Sequence, residues 1–165
     1  MYRIGNGFDA HKFVSDKKLI LGGVEIEYIY GLSGHSDSDV LSHAICDAML
    51  GAANSGDIGM HFPDNDDRYR NISSLVLLKR CLDILNNSGY KIVNIDSTVI
   101  CEKPRLSEHI QKIKNSLSDA LGLSAGQVSI KATTTDKMGF TGRKEGIAAQ
   151  AVVLIKMDEK SIKKE

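Results

Sequence analysis

The stretch GIAAQAVVLIKM, Gly146 to Met157, carries small and apolar side chains at odd and even positions alike. A strand with one solvated face would alternate, so this one is expected at the centre of a sheet, covered on both sides by helices or by another subunit. Further strands are expected at residues 2–9, 91–101 and 128–134, with a hairpin formed by 19–21 and 24–30 around Gly22-Gly23. Between them run three amphipathic stretches. From Ser38 to about Ala53, Val40, Leu41, Ala44, Ile45, Ala48 and Met49 form a stripe at helical spacing, with Ser36 or Ser38 as cap. From Ser73 to Ser88, Leu75, Leu78, Leu82 and Leu85 share a face and Gly89 is the stop. From about Ser107 to Leu121, Ile110, Ile113, Leu117 and Leu121 do the same before Gly122. With no repeat and no linker, residues 1–157 read as a single α+β domain, a sheet covered by helices, and residues 158–165 as a charged flexible tail.

At 165 residues the chain is long enough to remove roughly 70% of its unfolded surface from water, so neither a metal nor a disulfide is needed merely to fold it and metal ligands found in it can be functional. Twenty-one Lys and Arg balance twenty-one Asp and Glu, which argues against a nucleic-acid or anionic-membrane partner while leaving room for a local anion site. Cys46, Cys81 and Cys101 contain no CxxC pair, so neither a disulfide framework nor a thiolate zinc site is expected. With no leader pattern and no 18-residue apolar run, a cytoplasmic protein is expected.

Asp9 and His11, two apart on one strand, leave the same face. His43 sits mid-helix with Asp39 one turn before it and Asp47 one turn after, carboxylates able to orient or bind the imidazole. Two imidazole nitrogens and one carboxylate oxygen are a donor set of the catalytic zinc type, with the fourth position open. The segment His35-Ser36-Asp37-Ser38-Asp39 opens the helix and offers backbone amides to a phosphate oxygen. The irregular stretch 54–71, NSGDIGMHFPDNDDRYRN, includes Asp57, Gly59, His61, Phe62, Pro63 and Asp64, carboxylates that can accept from sugar hydroxyls beside backbone that a ligand can approach. In Ala132-Thr133-Thr134-Thr135-Asp136-Lys137 the hydroxyls suit phosphate oxygens and Asp136 suits a hard cation such as Mg²⁺. The glycine-rich GFTGRKEG that follows matches no dinucleotide or Walker pattern. Each feature taken alone has a structural explanation: a satisfied half-buried histidine, a helix cap, a surface loop, threonines as strand formers.

Taken together, GFDAHKF, HSDSDVLSHAICDAMLGAANSGDIGMHFPD, KATTTDKMGFTGRKEGIA and Pro104-Arg105, spread over residues 7–150, resemble the 2-C-methyl-D-erythritol 2,4-cyclodiphosphate synthase family of non-mevalonate isoprenoid biosynthesis. The resemblance implies a homotrimer of ferredoxin-like (chorismate-mutase-like) α+β subunits, a mixed sheet covered by helices, with active sites between subunits. It implies that 4-diphosphocytidyl-2-C-methyl-D-erythritol 2-phosphate is cyclised with release of CMP. It makes Asp9, His11 and His43 the Zn²⁺ ligands, and Asp136 the holder of a second divalent ion, Mg²⁺ or Mn²⁺, on the diphosphate. His35 and Ser36 fall on phosphate-contacting positions, and Asp57, Gly59, Phe62 and Asp64 on positions around the erythritol. Pro104, Arg105, Ala132, Thr133 and Thr134 match the cytidine and diphosphate pocket, with Phe140 and Arg143 as further substrate contacts. His35, Thr134 and Asp136 take catalytic positions. Three departures stand out: Asp136 where Glu is usual, Arg105 where Lys is common, and Gln150 in place of a Glu at a cavity on the three-fold axis. Family members can hold an isoprenoid diphosphate in that cavity, where Arg143 is retained.

The chemistry needs no protein nucleophile, because the attacking phosphate is tethered in the substrate and catalysis consists of folding the substrate back and neutralising its charge. Two other readings use the same residues: a zinc-dependent phosphoesterase with Asp64 or His35 as base, and a non-catalytic nucleotide-binding trimer with structural zinc.

Overall fold

The computed structural model describes residues 1–158. Of the expected charged tail, residues 159–165 lie outside the described residues. The small, apolar strand β7 (Gly146–Met157) takes the centre of a five-stranded sheet of order β4-β1-β7-β5-β6. β1 (Tyr2–Val14) pairs antiparallel along one side of it, from Tyr2 opposite Lys156 to Lys12 opposite Gly146. β5 (Tyr90–Ile100) pairs antiparallel along the other, with a bulge between Ile92 and Asn94. β6 (Val128–Thr133) lies parallel to β5, and the short β4 (Gly31–Leu32) extends the β1 edge. β2 (Leu19–Leu21) and β3 (Val24–Ile26) form the hairpin, with Gly22 and Gly23 both in the left-handed region at φ +55° and +74°. β3 ends short of the expected residue 30, and beyond it Tyr28 and Tyr30 pack at a tilt against Phe13, at ring separations of 5.4 and 6.0 Å.

Helix α1 (Val40–Ala53) rides on β1 and β7. Its approach is so close that a Cβ built on Gly5 or Gly7 would stand 1.9 Å from the Ala48 carbonyl oxygen or 2.0 Å from that of Ala44. Small residues on both elements are what lets backbone meet backbone there. α3 (Ser74–Asn87) and α4 (Ile110–Leu121) complete the layer and close one core with Leu41, Ile45, Leu78, Leu85, Ile113 and Val153. α4 starts three residues later than its periodicity suggests, since His109 and Ile110 first bond back to the Leu106 carbonyl. The irregular stretch 54–71 holds one helical turn, α2 (Ile58–His61), and a 3₁₀ turn at Asp67–Tyr69. Another single turn, α5 (Gly139–Gly142), precedes β7.

Within this chain the central strand is covered on one side, which leaves another subunit as the expected cover for the other, and the connection order of the main sheet needs a correction. Helices cover one face of the sheet only: on β7, Ile147, Ala149, Ala151, Val153 and Ile155 are buried beneath them, while Gln150 and Lys156 are exposed and Val152 and Leu154 half-buried. The same open face carries Ile4 and Phe8 of β1, 68% and 57% exposed. The element order is also not the βαββαβ of a ferredoxin-like fold. Here α4 carries β5 across to a parallel β6, and β7 then inserts between β1 and β5, giving βαβαββ in the main sheet.

Candidate active site

Asp9 and His11 are alternate residues of β1, so both side chains leave the face that α1 covers, where His43 comes down to meet them. Asp9 Oδ2 lies 2.9 Å from His11 Nε2 and 3.0 Å from His43 Nδ1, and the two nitrogens are 3.2 Å apart. A tetrahedral zinc with bonds of about 2.0–2.1 Å sets its donors about 3.3 Å apart, so this triangle is of the right size to cap one. Two imidazole nitrogens facing each other and a carboxylate oxygen need a proton or a cation between them, which is the chemical sense of the fit. Among the described residues no other set of three such donors converges this way.

The electrostatics agree. Burial works to raise the Asp9 carboxyl, but hydrogen bonds and charge from His11 and His43 outweigh it and hold the group far below the usual carboxylate range. Burial alone would lower His43, yet its bond to Asp9, with Asp39 and Asp37 nearby, raises it above the ordinary imidazole value. Burial also raises Asp47, with Asp57 and Asp9 adding repulsion.

The far side of His43 differs from the expectation. Asp39 caps α1, in place of Ser36 or Ser38, and its carboxylate accepts from the Ser42 amide and hydroxyl and from the Gly23 amide at 2.8 Å. Asp47 accepts from the Ile58 amide. Neither carboxylate reaches the imidazole; His43 Nε2 instead lies 2.9 Å from Ser74 Oγ and 3.1 Å from Ser36 Oγ. The amides of Ser38 and Asp39, expected to face a phosphate, are engaged by Ser36 Oγ and Asp37 Oδ1.

Around the triad opens a cleft of about 540 Å³ lined by His35, Ser36, Gly59, Phe62, Pro63 and Asp64, and also by Asp47, Asn65 and Tyr69. His35 is steadied by a 3.2 Å contact of Nε2 with the Asp66 carbonyl, and His61 by a 2.7 Å contact with that of Ser55. Pro104, Arg105, Ala132, Thr133 and Thr134 line a second cleft of about 750 Å³ at the carboxyl ends of the parallel pair β5 and β6. It shares no lining residue with the first. Burial pushes the thiol of Cys101, at its base, up to about 12, and all three cysteines are free and buried.

Of the residues that the resemblance assigns to the substrate or to the second ion, four line neither cleft. Asp57 caps α2 through the Met60 amide; Asp136 is exposed in the left-handed region at φ +50°. Phe140 is 40% exposed, and Arg143 pairs with Glu145 at 2.6 Å. Asn65, Tyr69 and Ser74 were not singled out from sequence. The polarity of the 54–71 stretch pointed to the first two, but nothing marked Ser74 beyond its place at a helix start.

A family model described as the YgbB family matches residues 2–156. The chain is 56% identical over 153 residues to the 2-C-methyl-D-erythritol 2,4-cyclodiphosphate synthase of Clostridium acetobutylicum, covering 93% of this chain and 99% of that one. It is 53% identical, over 93% of this chain and 98% of the other, to the synthase of Syntrophomonas wolfei. Among solved structures, the bifunctional IspDF of Campylobacter jejuni superposes with a TM-score of 0.92 at 42% identity, over 95% of this chain and 42% of that longer one. The CDP complex of Plasmodium falciparum IspF does so with 0.84 at 34% identity, over 96% and 97%. The chain thus belongs to the YgbB family, that of the 2-C-methyl-D-erythritol 2,4-cyclodiphosphate synthases.

Proposed function

We propose that this chain cyclises 4-diphosphocytidyl-2-C-methyl-D-erythritol 2-phosphate to 2-C-methyl-D-erythritol 2,4-cyclodiphosphate and releases CMP, in isoprenoid biosynthesis. The observation that carries the reading is the convergence of Asp9, His11 and His43 in a cleft whose rim supplies His35 and Ser36 for phosphate, Gly59 and Asp64, next to Asp57, for polyol hydroxyls, and Phe62 as an apolar wall. The relative from Plasmodium falciparum was solved with CDP. A ligand of that chemistry suits the second cleft, where Arg105 offers charge, Thr133 and Thr134 hydroxyls, and Pro104 and Ala132 apolar walls.

The 2-phosphate oxygen forms a bond to the β-phosphorus, and the bond from that phosphorus to the CMP oxygen breaks, the electron pair leaving with CMP. His35 and Thr134 hold the reacting phosphates in line, and Asp136 would hold a second divalent ion, Mg²⁺ or Mn²⁺, supplying further positive charge to the diphosphate. When bound, zinc on Asp9, His11 and His43 supplies positive charge that offsets the repulsion between the two phosphate ends. Because the two clefts share no residue, and the sheet face with Ile4, Phe8 and Leu154 is uncovered, we assign the working form to a homotrimer in which a neighbour closes each site. Phe140 and Arg143 are assigned to the substrate in that assembly, and an axial cavity bearing Arg143 and Gln150 to an isoprenoid diphosphate. No helix among the described residues is long and apolar enough to cross a membrane, and a cytoplasmic location is proposed.

Metal analysis of the purified protein, coupled to phosphorus NMR of its products, tests the reading. Bound zinc with stoichiometric CMP and a cyclic diphosphate is the expected result. Linear phosphates would establish hydrolysis, and a zinc-loaded protein without turnover would establish a binding role.

A further inference from the structure

The side of His43 that faces away from the metal position is built. Ser74, fully buried at the first turn of α3, sets Oγ 2.9 Å from His43 Nε2. The same hydroxyl donates a short hydrogen bond to Asp37 Oδ1, and the Ser74 amide donates to Asp37 Oδ2 at 2.9 Å. Asp37 is fixed in turn by its own amide, which donates to the Ile72 carbonyl, and its Oδ1 accepts from the Asp39 amide.

A carboxylate oxygen can only accept, so the single Ser74 proton is committed to Asp37, and Ser74 Oγ must accept from His43. Ser36 Oγ, 3.1 Å from the same nitrogen, accepts from the Ser38 amide and turns its own proton toward Ser74 Oγ at 3.4 Å, whose proton is already committed, which leaves a lone pair of Ser36 as a second acceptor for His43. Between them these oxygens place the imidazole proton on Nε2 and leave the Nδ1 lone pair for the cluster of Asp9 and His11.

We propose that Asp37 and Ser74 are positioning residues, a carboxylate–serine relay that holds His43 in the one tautomer and ring orientation able to ligate a metal through Nδ1. It ties the start of α3 to the first turn of α1 and completes the metal centre from an element that contributes no ligand. The inference rests on the metal reading of Asp9, His11 and His43.

The relay makes an unusual forecast for two variants. Ser74→Ala removes the oriented acceptor, and zinc binding should weaken about 10- to 100-fold. Asp37→Asn, nearly isosteric, should be worse than Ser74→Ala. Two backbone amides compete for the Asn carbonyl, Ser74 at 2.9 Å and Asp39 at 3.3 Å, and the shorter, stronger bond keeps it on the Ser74 amide, so the Asn NH₂ takes the place of Oδ1 and faces Ser74 Oγ. The hydroxyl must then accept from Asn and donate to His43 Nε2, which moves the imidazole proton to Nδ1. In the double variant Asp37→Asn/Ser74→Ala the inverted donor is gone, and affinity should recover to that of Ser74→Ala alone.

The measurement is zinc affinity by competition with a chromogenic chelator, alongside the thermal midpoint of each metal-free protein and the exchange rate of the His43 Nε2 proton in the zinc-loaded form by NMR. Expected are metal-free midpoints near that of the wild type, the order wild type, then Ser74→Ala and the double variant together, then Asp37→Asn, and faster proton exchange in Ser74→Ala. Affinities within twofold of wild type for Ser74→Ala and Asp37→Asn would overturn the relay while leaving the metal site intact. A double variant as weak as Asp37→Asn would overturn the polarity argument on which it stands. A wild-type protein that takes up no zinc would remove the metal site itself, and the relay with it.

Discussion

His43 is held from two sides, by Asp9 and His11 on one ring nitrogen and by serine hydroxyls on the other. Removing either imidazole therefore takes away a ligand without opening the core, which closes over Leu41, Ile45 and Leu78. His11→Ala and His43→Ala are expected to lose zinc and several kcal/mol of charge stabilisation, about a thousand-fold or more in turnover, with unchanged far-ultraviolet circular dichroism. Collapse to unfolded chains would show that the metal is structural. The pH dependence of the metal-free protein follows from the two shifted groups. Asp9 lies below the ordinary carboxyl value of 3.8, so its contribution is present above that pH and is lost as pH falls through the depressed value. His43 lies above 6.5, so its contribution is present below that pH and is lost as pH rises through the raised value. In chelator, thermal stability should be greatest between these two limits, and Asp9→Asn should flatten the profile. An unaltered profile in that variant would refute the coupling.

At the scale of elements, α1 lies on β1 without intervening side chains, and Gly5 and Gly7 are the reason it can. Gly7→Ala would drive a methyl group into the Ala44 carbonyl, and either helix or strand must move. About 3 kcal/mol of destabilisation is expected, or a fall of about 10 °C in melting temperature. Because Asp9 and His11 follow directly on β1, zinc affinity should drop as well; a variant that melts like the wild type would mean the strand has slack. The capping of α1 shows how local signals and tertiary context divide. Ser36, Ser38 and Asp39 are all acceptable caps by residue type, and Asp39 takes the place because it also receives the Gly23 amide from the hairpin. Ser36 is thereby released to face His43.

For the whole molecule the open sheet face is the decisive feature. Across it Ile4 stands opposite Leu154, Asn6 opposite Val152 and Phe8 opposite Gln150, an apolar strip interrupted by the Gln150–Asn6 hydrogen bond. A single chain gains nothing by exposing Ile4 and Phe8, and a three-fold assembly would bury them. Leu154→Arg is expected to yield folded monomers by analytical ultracentrifugation with turnover reduced at least tenfold, since a charge buried without a partner disfavours association by several kcal/mol. A fully active monomer would sink the assignment of the site to an interface.

The residues themselves were enough to foresee the three long helices, the central strand, the Gly22-Gly23 turn and the donor set of Asp9, His11 and His43, though not the single turns α2 and α5. Periodicity, glycine placement and ligand chemistry are properties of short segments and of residue type. The strand order, the bare face of β7, the placing of the two clefts apart on one chain, and the hold of Ser74 and Asp37 on His43 belong to the tertiary structure. A pairwise approach between residues 31 positions apart, such as Ser74 to His43, leaves no periodic trace in the chain and arises only when α3 is laid against α1 by burial of their common core.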